Sequence, residues 1–122
     1  MRIVLAFIAA TIGILGGTAQ AKQCDVVLAK KAWAKCSACH ANKPGAAQTL
    51  GPNLHKVIGR VAGTVPGYRY SPAMAKSGLK WTPENFDAFT AAPRKAVPGT
   101  RMPFSGLKDA AQRAALSCWL SK

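Results

Sequence analysis

The run Cys36-Ser37-Ala38-Cys39-His40 constrains this chain more than any other segment, because it aims two thiols and an imidazole at one flat cofactor. Residues i, i+3 and i+4 share a face of a helical turn. Both sulfurs can therefore bond to the vinyl groups of one haem while the His40 imidazole reaches its iron as an axial ligand. Other readings use fewer of these groups. A thioredoxin-like C-x-x-C calls for a βαβ setting and has no need of the histidine. A zinc centre needs four ligands, and the remaining Cys24, Cys118 and His55 stand at none of the usual paired spacings.

The first residues fit export. Met1-Arg2 leads into an apolar stretch ending at Leu15, and Ala19-Gln20-Ala21 supplies a cleavage site, so the expected division is a cleaved signal peptide over residues 1–21 and one domain over residues 22–122. The apolar stretch is short and glycine-rich for a membrane span, an uncleaved anchor being the alternative. The expected location is the periplasm, with the domain exported and soluble. One of the 17 Lys and Arg residues falls in the signal, leaving 16 against 4 acids. Such a surface calls for an acidic partner or, more weakly, an anionic membrane, while export argues against nucleic acid. The cations are scattered singly and in pairs, which is the pattern of a solvated face.

Three helices are expected. Over residues 25–39, Val26, Ala29, Trp33 and Cys36 recur at helical spacing. Thr82-Pro83-Glu84 reads as the cap and first turn of a second helix carrying Phe86 and Phe89 inward and ending at Pro93. Asp109-Ala110-Ala111-Gln112 reads as a capping-box start for a third, with Leu116, Trp119 and Leu120 on one face. Residues 41 to 71 are dense in turn formers and read as loop. So much loop in so small a domain is hard to stabilise by protein packing alone. The expected fold class is therefore all-α, three main helices and long loops wrapped around one covalently bound haem.

A low-spin electron-transfer haem takes a second axial ligand, and a His/Met pair raises its reduction potential. Two methionines lie beyond the signal. Met74, in Pro72-Ala73-Met74-Ala75, reads as core filler. Met102, in Pro98-Gly99-Thr100-Arg101-Met102-Pro103-Phe104, sits on a stiff extended segment able to hold a thioether at the iron, and is the chosen ligand. A closed iron position argues for an electron carrier and against a peroxidase-like enzyme.

Taken with Gly51-Pro52-Asn53-Leu54-His55, Gly59-Arg60, Pro66-Gly67-Tyr68-Arg69-Tyr70 and Gly78-Leu79-Lys80-Trp81, in that order along the chain, these segments resemble the class I c-type cytochromes of mitochondria and soluble bacterial systems. The resemblance implies haem c on Cys36 and Cys39, with His40 and Met102 as axial ligands and the Pro52 carbonyl fixing the imidazole. It implies Arg60, Tyr70 and Trp81 near the haem propionates, Phe104 against the haem edge, and a docking ring of Lys35, Arg94, Arg101 and Lys108 that Asp109 interrupts. It further implies a likeness in role: a monomeric carrier moving one electron between respiratory or photosynthetic partners, acidic redox proteins such as quinol-cytochrome c reductase, a terminal oxidase or a periplasmic dehydrogenase. The alternative is a subunit through which electrons enter a larger periplasmic dehydrogenase or oxidase. Because the first and last helices of such proteins pack together, a Cys24–Cys118 disulfide is the expected pairing, two buried thiols being the alternative. The chain departs from the family pattern in four places. Phe89 and Met74 stand where relatives often have Tyr and Asn, Gln48 where many have a loop-bracing histidine, and Ala29 where a close-contact glycine meets the last helix.

Overall fold

The computed structural model describes Gly17 and residues 22–122; the expected signal segment, residues 1–21, otherwise lies outside the described residues. The helices are α1 Val26–Trp33, α2 Pro72–Ala75, α3 Pro83–Ala91, α4 Pro93–Ala96 and α5 Ala110–Trp119. One isolated antiparallel bridge joins Val61 to Lys80. No helix among the described residues is long and apolar enough to cross a membrane.

Short side chains start four of the five helices. The Asp25 carboxylate accepts from the Leu28 amide at 2.9 Å, and the Ser71 hydroxyl from Met74 at 3.1 Å. Thr82 accepts from Asn85 at 3.1 Å and Asp109 from Gln112 at 3.1 Å, each bond satisfying an amide with no carbonyl partner inside its helix. Pro72, Pro83 and Pro93 open α2, α3 and α4, positions where a missing N–H loses nothing. The capping box at Asp109 closes differently from the expected form. Gln112 Nε2 donates to the Asp109 carboxylate at 3.1 Å instead of reaching back to its backbone.

Two expected boundaries need correction. Regular helix in α1 ends at Trp33 and does not run to Cys39. The amides of Lys35 and Cys36 bond three residues back, to Ala32 and Trp33, so the chain tightens into turns as it enters the C-x-x-C-H run. Pro93 does end α3 but also starts α4: Ala92, pushed out of the helical region to φ −155° by the proline after it, is cap to both. The four-residue helix α2, just beyond the loop expected over residues 41 to 71, was not among the expected elements.

α1 packs on α5 and α5 on α3. Ala29 and Ala32 are fully buried, so small side chains let the helices approach even where relatives use glycine. Trp33 and Trp119 meet at 5.7 Å between ring centroids, and a Cys24–Cys118 disulfide with a Cα separation of 5.6 Å joins the outer ends of the two helices. Arg113 of α5 ties the second contact: Nε donates to Asp87 of α3 at 2.7 Å, and Nη1 to the carbonyls of Leu107 and Lys108 at 2.7 and 2.9 Å. At Gly106, φ +114°, a Cβ would collide with the Ala91 carbonyl, so only glycine lets the strap before α5 lie against the end of α3.

Among the described residues Lys56 is the one non-glycine at positive φ, +50°. That conformation costs a side-chain-bearing residue about 1 kcal/mol or more, part of which glycine's greater unfolded-chain freedom would offset. Lys56→Gly is accordingly expected to stabilise the domain by about 0.5 kcal/mol in urea unfolding. A loss of that size instead would mean the lysine side chain makes a contribution larger than the strain.

Candidate functional site

The helices and loops enclose a cavity of about 500 Å³. The C-x-x-C-H run reaches it from the turns after α1, the 49–54 loop from beneath the histidine, and the 100–104 segment brings Met102. His40 is oriented by chain folding alone. Its Nδ1 lies 2.8 Å from the Pro52 carbonyl, so the neutral ring donates there and leaves the Nε2 lone pair free. A Cβ at Gly51 would overlap the His40 ring, which makes glycine the residue that lets the imidazole lie flat on the loop. The loop is pinned in turn, with the Gly51 amide and Thr49 hydroxyl both donating to the Cys39 carbonyl, at 2.7 and 2.8 Å.

Burial pushes the His40 pKa down, outweighing the Pro52 carbonyl that raises it, so the ring stays neutral, the form an iron ligand requires. Burial likewise pushes the Cys36 thiol up, aided by Cys39 and opposed by Lys35. Cys36 and Cys39 are free and half-buried, while Cys24 and Cys118 are bonded to each other. Four cysteines are thus divided into two thiols at the cavity and a bridge away from it. Among the described residues no three His, Cys, Asp or Glu side chains gather as metal ligands elsewhere.

Both methionines line the cavity. Met74 is 8% exposed in the core cluster, whereas Met102 is half-buried on a segment held by the Thr100 amide to the Val97 carbonyl at 3.0 Å. Arg60, Tyr70, Trp81, Pro52 and Phe104 line the cavity too. Arg60 already donates to the Asn53 carbonyl at 2.9 Å and the His55 carbonyl at 3.5 Å, so its guanidinium is fixed against the loop. Burial lowers its pKa, with Tyr70 opposing, but a guanidinium remains charged. Tyr70 accepts from the Val65 amide at 3.2 Å, which leaves its hydroxyl hydrogen free to donate. Burial raises the Tyr70 pKa, against the Val65 amide and the Arg60 charge. Trp81 stacks edgewise on Phe89 at 5.1 Å and Phe86 at 6.4 Å, closing one apolar wall.

This donor set suits a haem. A neutral imidazole with a free nitrogen, two thiols three residues apart and two thioethers meet in an apolar cavity, with an arginine and a tyrosine hydroxyl at its wall to face carboxylates. The position of Gln48 acquires a physical account here: Nε2 donates to the Pro66 carbonyl at 2.8 Å, bracing the loop as the resemblance implied for a histidine. Of the expected docking cations, Lys35 and Arg101 are exposed and line the cavity, whereas Arg94 and Lys108 are exposed without lining it. Arg69, Tyr68 and Leu50 also line it and were not singled out from sequence. Only the setting of Arg69 between two tyrosines hinted at a role there.

No family model matches the chain. It is 43% identical over 93 residues to a cytochrome c2 of Rhodoblastus acidophilus, covering 76% of this chain and 87% of that one. It is 45% identical over 86 residues to a cytochrome c2 of Agrobacterium tumefaciens (strain II Chrys), covering 68% and 78%. Its structure resembles cytochrome cH from Methylobacterium extorquens with a TM-score of 0.73 at 37% identity, covering 79% of this chain and 96% of that one.

Proposed function

The chain belongs to the class I c-type cytochromes, electron carriers that are not enzymes and hold one covalent haem c, and we propose that it is a soluble periplasmic member of them, docking as a monomer on acidic redox proteins. Bound, the haem supplies a one-electron Fe(III)/Fe(II) couple. Cys36 and Cys39 would hold it through their two sulfurs, and His40 would present Nε2 to it because the Pro52 carbonyl accepts the Nδ1 proton. Met102, which lines the same cavity, would offer its thioether sulfur to the iron. Arg60, Tyr70 and Trp81 offer positive charge and donors to the propionates, and Phe104 and Pro52 exclude water. The observation that carries this reading is the His40–Pro52 hydrogen bond of 2.8 Å over Gly51, since it prepares one nitrogen of one imidazole for a metal in the same cavity as two thiols.

Charge supports the docking part. Three of the four acids serve local structure: Asp25 and Asp109 cap helices and Asp87 pairs with Arg113. The fourth, Glu84, lies in the first turn of α3. From Val26 to Pro83 there are nine Lys and Arg and no acid. Lys35 and Arg101 at the cavity, with Arg94 and Lys108 beyond, steer an acidic surface toward the haem. The expected result is a second-order electron-transfer rate with an acidic terminal oxidase that falls steeply with ionic strength, since exposed charges are screened over about 10 Å at 0.1 M. Lys35→Glu or Arg101→Glu should slow association several-fold with the spectrum intact, and Lys122→Glu should do little. A rate flat in salt would exclude steering and favour a permanent subunit contact.

A further inference from the structure

Four large apolar side chains are well exposed among the described residues: Val26, Val27, Leu50 and Val61. Only Leu50, 78% exposed, also lines the haem cavity, and it does so together with Lys35, Arg69 and Arg101. Its exposure is built in. The Leu50 carbonyl accepts from the Tyr68 hydroxyl at 2.8 Å, while Thr49 and Gly51 on either side both donate to the Cys39 carbonyl. The turn is fastened to the cavity on both flanks, so the backbone that carries the leucine is held at the cavity. Covering a side chain whose backbone is already fixed costs no further ordering of the loop. Cations beside it match an acidic rim, and the stretch from Val26 to Pro83, which carries Lys35, Leu50 and Arg69, has no acid.

Resting on the docking reading above, we infer that Leu50 is the apolar anchor of the docking surface, seating in an apolar depression inside the acidic rim of the redox partner. Lys35, Arg69 and Arg101 then govern how fast the two proteins meet, and Leu50 governs how long they stay, because exposed charge acts chiefly on association and central apolar burial on dissociation. The Tyr68 and Thr49 hydrogen bonds fix where the anchor stands relative to Cys39, and hence to the covalently attached haem.

The test uses the haem-loaded protein in steady-state and stopped-flow electron transfer to an acidic terminal oxidase across a range of ionic strength. Leu50→Ser should raise KM about five- to tenfold, the effect of uncovering one leucine. The slope of log rate against ionic strength and the visible spectrum should stay as in the parent, and Leu50→Met should restore most of the affinity. Val27→Ser, which alters an equally exposed residue away from the cavity, should leave KM unchanged. An unchanged KM in Leu50→Ser alongside a steep salt slope would overturn the anchor and leave the docking reading standing. A changed slope or spectrum in that variant would overturn it as well, since Leu50 would then act through the charges or the cavity. A flat slope in the parent would overturn the docking reading and the anchor with it.

Discussion

Met102→Ala is expected to abolish the weak near-infrared band that an Fe(III)–thioether bond gives and to lower the reduction potential, while the haem stays with the protein through acid-acetone extraction. The two results separate because the proposed reading gives them to different residues: Cys36 and Cys39 would retain the haem whatever happens at position 102. The competing ligand is Met74, which lines the same cavity. It is 8% exposed on α2, whose cap Ser71 bonds its amide at 3.1 Å, and it belongs to the core cluster with Trp81, Phe86 and Phe89. Moving that side chain to the iron would empty a packed site, whereas half-buried Met102, on a segment between two prolines, packs only against the edge of that cluster and has less to lose. Met74→Ala should therefore keep the near-infrared band and destabilise the fold by about 2–4 kcal/mol, as truncation of a buried methionine does. Loss of the band in Met74→Ala with its retention in Met102→Ala would reverse the assignment.

What could be read from the sequence is what depends on near neighbours. Thr82 and Asp109 each reach an amide three residues on, so their caps appear in four consecutive letters, and the C-x-x-C-H run is of the same local kind. Local rules also mislead where a tertiary choice intervenes. The apolar spacing from Val26 to Cys36 continues past Trp33, but the backbone tightens there to present the thiols, and no spacing rule marks the change. Ser71-Pro72 is the same kind of start as Thr82-Pro83, yet it opens a helix of only four residues, too short for any periodic pattern to show.

The remainder was hidden because it joins residues far apart. Arg113 and Asp87 are 26 positions apart, and the pairing follows from α5 meeting α3. Leu50 in the sequence is one apolar residue before a glycine; the turn that carries it is held by Tyr68 donating to Leu50 and by Thr49 and Gly51 donating to Cys39, bonds that only the folded loops create. The role of Gln48 was legible only through resemblance, since a glutamine in a loop predicts no partner by itself, and its bond to Pro66 spans 18 positions.

Replacing Cys24 and Cys118 together by serine is expected to lower the unfolding free energy by about 2–4 kcal/mol and the melting temperature by roughly 10–20 °C. The bridge closes a loop with a sequence separation of 94, for which the chain-entropy treatment gives somewhat over 4 kcal/mol. Haem attached at Cys36 and Cys39, as proposed, would already restrain the unfolded chain near α1, which trims the gain. The bridge also holds the outer end of the α1–α5 contact, where Ala29, Ala32 and the Trp33–Trp119 pair are packed. Variants are the right instrument here, because a thiol reductant strong enough to open the bridge also reduces the iron. Guanidinium unfolding of parent and variant, each in both iron states, should show the same loss in either state, since the bridge is remote from the cavity. The near-infrared band should be unchanged before the transition. The variant should also unfold with a larger dependence on denaturant, as an unbridged chain exposes more surface. A loss below about 1 kcal/mol with an unchanged dependence would mean that the haem linkage and the α1–α5 packing already supply the whole constraint, and that the bridge adds none.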